Sequence, residues 1–109
     1  NVTYNGYVAM RELLRAVSDA GTTNNISVIK QLEGRVMSAA DRMQHHDAVI
    51  DAHSHHVQQT IYLAARQDNP RDDTDYFKIV NVMDPKSVQI AGEAECNLES
   101  YADTPTYEM

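Results

Sequence analysis

Tyr7-Val8-Ala9-Met10-Arg11-Glu12-Leu13-Leu14-Arg15-Ala16-Val17-Ser18-Asp19-Ala20 is the stretch on which the fold turns. Met10, Leu13, Leu14 and Val17 stand at i, i+3, i+4 and i+7, so a helix over 7–20 places all four on one face. Arg11, Glu12, Arg15 and Asp19 take the opposite side, where Glu12 can reach Arg15 or solvent. Asn5 and Gly6 can cap its start, and Gly21 suits the position just past its end, where the backbone enters the left-handed region. At 1.5 Å per residue such a helix runs about 21 Å.

Outward from it, Thr22-Thr23-Asn24-Asn25 offers several N-caps for a second helix over 25–33. Ile26, Ile29 and Leu32 form its inner face, and Gly34 closes it. Val36 to Ala40 is small and apolar and reads as the start of an extended segment; Asp41 to His46 reads as a turn or half-turn of helix. Ala48-Val49-Ile50 has the length of a short strand only, and 51–59 has the composition of a loop. Thr60 to Ala65 is β-branched and aromatic at its start and reads as a strand, although Val57, Ile61 and Ala64 also fit a helix over 56–66. Asp68-Asn69-Pro70-Arg71-Asp72-Asp73 is the clearest turn, and Tyr76 to Val80 follows as another strand. Beyond Val80 no periodicity is sustained, and 100–109 is expected to be frayed or held only by neighbours.

The 109 residues have room for one small domain. With one Phe, no Trp and six Tyr, the core must come from Leu, Ile, Val, Met and Ala, with tyrosines at its margins. A chain of this size buries only ~60–65 % of the surface its unfolded form exposes, so a free-standing fold would be marginal. A single Cys excludes an intrachain disulfide scaffold and a thiolate zinc finger. The net charge of −7 argues against nucleic acid and against an anionic membrane surface, because no basic stripe exists to meet phosphates. Acidity concentrates in 81–109, where only Lys86 opposes Asp84, Glu93, Glu95, Glu99, Asp103 and Glu108, the pattern of a solvated tail or wrapping segment. No stretch approaches the ~20 apolar residues of a membrane span. Opening on Asn1 with neither Met nor signal-peptide pattern, the chain is expected to be a processed product or a piece of something longer.

His45, His46, His53, His55 and His56 fall close together, and a metal site is one reading, with His53, His55 and His56 as the ligands and Asp47 and Asp51 nearby. No H-x-x-x-H, H-E-x-x-H or cysteine cluster accompanies them, so a partly exposed polar loop is the competing reading. No G-x-S-x-G elbow, G-x-G-x-x-G or phosphate-binding loop occurs, and Cys96 between Glu95 and Asn97 lacks an activating environment; its expected role is structural, or a disulfide with a cysteine outside the chain. These absences argue against an enzyme and for no cofactor. Tyr4 and Tyr7, straddling the start of the first helix, combine an amphipathic ring with nearby helix N–H groups and suit a small zwitterionic or anionic ligand. Alternatively, Tyr7 is simply the first core-facing residue, three before Met10.

In order, Gly6-Tyr7-Val8-Ala9-Met10 leads a helix ending Asp19-Ala20-Gly21-Thr22, a short helix ends Leu32-Glu33-Gly34, and His55-His56-Val57-Gln58-Gln59-Thr60-Ile61-Tyr62-Leu63-Ala64 follows. This order resembles the C-terminal part of substrate-binding proteins of ABC transporters for branched-chain amino acids, amides and urea, over about residues 4–80 and loosely over 81–100. Where that family has a Gly-Pro-Val-x-Phe-Asp strand, Met37 to His46 stands here. The resemblance implies an α/β fold, the end of a two-lobed type I periplasmic-binding architecture, with 1–80 as the C-terminal part of one lobe and 81–109 as an acidic extension. The alternative is a small α+β domain. It also implies an extracytoplasmic or periplasmic protein that captures a small amino acid-like or amide ligand and passes it to a membrane permease. Its other partners would be the absent N-terminal part and, through uncovered surfaces, further copies. Tyr7, with Tyr4 beside it, maps to a tyrosine near the ligand cleft of some members. Rival readings are a His-rich metal-binding or interaction domain of the cell envelope and a ligand-sensing receptor domain of the same fold.

Overall fold

Asn24 sets the start of the second helix: its side-chain oxygen accepts from the Ser27 N–H at 3.0 Å, satisfying a donor that the first turn leaves open. Gly21 ends the first helix with φ +65°, and its N–H reaches the Val17 carbonyl at 3.1 Å. These local devices appear where the sequence puts them in a computed structural model that describes residues 2–88, 96, 98 and 100–108.

The elements run α1 (Val2–Ala20), α2 (Asn25–Leu32), β1 (Val36–Met37), α3 (Ala39–Arg42), β2 (Ala48–Ile50), β3 (Val57–Gln58), β4 (Ile61–Arg66), β5 (Phe77–Met83) and a 3-10 turn at Pro85–Val88. β2 is central in an antiparallel sheet ordered β1-β2-β3, with Val36 opposite Val49 and Val49 opposite Gln58. β4 and β5 form a separate antiparallel ribbon with a register shift at Leu63/Ala64. The architecture is thus a small mixed α+β domain. Every strand pair among the described residues is antiparallel, so the α+β alternative describes it better than the α/β reading.

α1 departs from expectation in two respects. It begins at Val2, so Asn5 and Gly6 lie within it rather than capping it. The phase of its buried face also differs: Val8, Glu12 and Ala16 are buried, whereas Met10, Leu13 and Leu14 are 56 %, 42 % and 61 % exposed. The four-residue spacing is helical as expected, but the face toward the sheet is set by a carboxylate. Glu12 accepts from Arg11 and Arg15 at 3.1 Å each and from Arg35, which leads into β1, at 3.0 Å. Turning Glu12 inward turns the apolar stripe outward.

The core is thin. Val8, Met37 and Ala48 meet with Tyr4 and Ile50 packed beside them, and no large side chain among the described residues is fully buried. The Cα radius of gyration is 17.3 Å against about 13 Å for a compact chain of this length. In the β4–β5 ribbon, Leu63, Phe77, Ile79 and Val80 are all more than half exposed. The loop expected over 51–59 is interrupted by β3, because Val57 and Gln58 complete the sheet on the open edge of β2. The last residues lie along α2: Asn25 donates its backbone N–H to the Tyr107 carbonyl at 3.0 Å and accepts from the Tyr107 N–H at 2.8 Å.

Candidate functional site

A cavity of about 420 Å³ lies between α1 and the three-stranded sheet. α1 lends it Val8, Glu12 and Leu13; the sheet lends Met37, Ile50 and Val57; Arg42 and Gln59 supply polar groups opposite. Its volume is within the range of small-molecule sites. α3 positions Arg42. Ser38 caps that helix by accepting the Asp41 N–H at 3.1 Å, Asp47 accepts the Ala39 N–H at 2.7 Å, and Met43 closes it in the left-handed region at φ 52°.

Arg42 is 2 % exposed. Its Nε donates to the Tyr4 hydroxyl at 3.5 Å, Nη1 lies 3.8 Å from the Met37 sulfur, and Nη2 donates to Gln59 Oε1. All three partners are neutral. The other arginines near α1 are balanced: Glu12, Asp19 and Asp41 face Arg11, Arg15 and Arg35, with Arg35–Asp19 at 2.8 Å and Arg15–Asp41 at 2.7 Å. The Arg15 guanidinium, through its hydrogen bond, holds the Asp41 carboxyl below the usual carboxylate range.

The two tyrosines part company. Tyr4, in the first turns of α1, is half-buried and donates its hydroxyl to the Arg42 carbonyl at 2.6 Å, next to the cavity. Tyr7 is 62 % exposed, with the Arg11 guanidinium 5.7 Å from its ring centre, and is not the core-facing residue its spacing suggested. Neither precedes α1; both lie inside it.

The histidines disperse. His45 contacts the Tyr62 hydroxyl at 3.0 Å, and His46 lies 3.7 Å from Asp84. His53 to His56 follow a turn built by Asp51, whose side chain accepts from the Ser54 N–H at 2.8 Å and the His53 N–H at 3.0 Å. These N–H donors, Ser54 first, hold the Asp51 carboxyl below its ordinary value. The turn sends His55, at φ 57°, to Glu33 at 3.1 Å, where the Tyr101 hydroxyl also donates to Glu33, while His53 and His56 stay exposed. Among the described residues no three His, Cys, Asp or Glu side chains group as a metal site, so the His53, His55 and His56 reading finds no geometry there. Cys96 is exposed and unbonded.

Sequence reading missed Arg42, Glu12 and Gln59 as site residues. Ala40-Asp41-Arg42 reads as a polar surface turn, and nothing local marks an arginine whose burial depends on Tyr4, 38 positions away. Among the described residues no helix is long and apolar enough to cross a membrane. Comparison with protein-family models, curated proteins and solved structures finds no match.

Proposed function

We propose that this chain is the C-terminal part of an extracytoplasmic solute-binding protein of the two-lobed type I kind, which captures a small amino acid-like or amide ligand for uptake by an ABC transporter. The observation that carries this reading is the uncovered apolar surface. An isolated two-stranded ribbon is marginal in water. Here, Ile79 and Val80 of β5, beside the register shift of the ribbon, are 55 % and 51 % exposed. The outward stripe of α1, with Met10 and Leu14, adds a second uncovered face on another side of a thin core. Exposed apolar faces of this kind suit burial against further chain, as in a receptor whose lobes close on a ligand that bridges them.

The polypeptide sequence preceding Asn1 tests the reading. Several hundred residues carrying a signal peptide, encoded beside permease and ATPase genes, support it; an initiator Met immediately before Asn1 overturns it. Neighbouring signalling genes in place of a permease would transfer the same fold to sensing. Taken alone, the chain is expected to self-associate through these faces in sedimentation experiments.

A further inference from the structure

We propose that the cavity beneath α1 is a subsite for a small monocarboxylate with an apolar body, anchored by the Arg42 guanidinium. A guanidinium carries five N–H donors. Tyr4, Met37 and Gln59 take one each from Nε, Nη1 and Nη2, which leaves one further N–H on each terminal nitrogen. That pair matches the two oxygens of a carboxylate. Among the described residues no Asp or Glu pairs with Arg42, although its side chain is almost wholly withdrawn from water. A buried cation hydrogen-bonded only to neutral groups is costly, and a carboxylate from outside would offset that cost.

Glu12 also lines the cavity, and its charge is already matched. Three carboxylates and three guanidiniums close on themselves around it, so the network has no charge to spare for Arg42. Val8, Leu13, Ile50 and Val57 then line space for a branched hydrocarbon rather than for a bare inorganic anion. The proposal deepens the solute-capture reading by naming a ligand chemistry, but it needs neither a permease nor a second lobe.

The test is titration of the purified protein with 4-methylpentanoate, followed by NMR of the Met37 methyl and the Val8 and Val57 amides, beside 4-methylpentanamide and inorganic phosphate. The carboxylate is expected to saturate these signals and to bind at least roughly tenfold tighter than the amide, the worth of a charged hydrogen bond. Phosphate is expected to leave them unmoved. Arg42→Met, which keeps an apolar stem and removes the charge, is expected to abolish the preference for carboxylate over amide, and Arg42→Lys to keep part of it. Equal binding of acid and amide to the unaltered protein, or no saturable response to either, overturns the proposal whether or not the variants fold. Phosphate binding at the same signals overturns the apolar part of it. The encoded context before Asn1 is a separate measurement, so failure of the subsite and failure of the transport reading remain distinguishable.

Discussion

The body of the molecule and its ribbon are built from strands of similar composition and end in opposite conditions. In the body, β2 has a partner on each side, and α1 covers the sheet, so Met37 and Ala48 are 4 % and 1 % exposed. In the ribbon, β4 and β5 have no further strand partner among the described residues, and Phe77 and Ile79 are 69 % and 55 % exposed. Both regions pair their strands antiparallel. What separates them is side-chain cover, which depends on a third layer rather than on strand propensity. The body also carries a charge hub that ties α1 to β1 and α3, while the described ion pairs of the ribbon, such as Lys78–Asp68 at 2.7 Å, lie at its rim.

That contrast can be broken most forcefully at Glu12. Glu12→Ala leaves Arg11, Arg15 and Arg35 without their shared carboxylate and is expected to cost about 3 kcal/mol in chemical denaturation; a loss below about 1 kcal/mol would show that the hub is incidental. Met37→Ala empties the small core beside Val8 and Ala48 and is expected to cost about 2–3 kcal/mol. Asn24→Ala removes the α2 cap and is expected to cost about 1 kcal/mol, visible as lost protection of the Ser27 amide in hydrogen exchange.

Acid sharpens the contrast within the body. The Asp51 carboxyl sits below its ordinary range because it accepts N–H donors of its own turn, so the unfolded chain binds its proton more readily. Its contribution is therefore present above about pH 4 and is lost as pH falls through the lowered folded-state value. Amides of 51–56 are expected to lose protection in that window before those of β4 and β5 do; simultaneous loss would contradict the assignment. The smallest effect on stability belongs to the ribbon. Ile79→Thr is expected to change unfolding free energy by no more than about 0.5 kcal/mol while weakening self-association in sedimentation, since the side chain is more than half exposed.

Local devices were legible because they need only neighbours in sequence. The Asn24 cap, the left-handed Gly21 and Gly34, the short strand at Ala48–Ile50, and the ribbon strands about the Asp68–Asp73 turn all follow from residues a few positions apart. The α1 start and β3 were less so. Tyr4 donates to a carbonyl in α3, and Val57 pairs with Ile50, both contacts supplied from elsewhere in the chain. The histidines look like one group in sequence and take different partners in space, because the Asp51 turn and the left-handed His55 redirect successive side chains.

Helical periodicity, capping residues, turn chemistry and overall charge were therefore set by the order of amino acids, since each acts over a turn or two of backbone. Which face of α1 is buried, which arginine is buried with no carboxylate partner among the described residues, and which strands stand uncovered were decided by packing. A helix of fixed period can rotate about its axis at almost no local cost, so its phase is chosen by the distant groups it meets. Here, Arg35 draws Glu12 inward from 23 positions away, and the apolar stripe turns out to solvent in consequence.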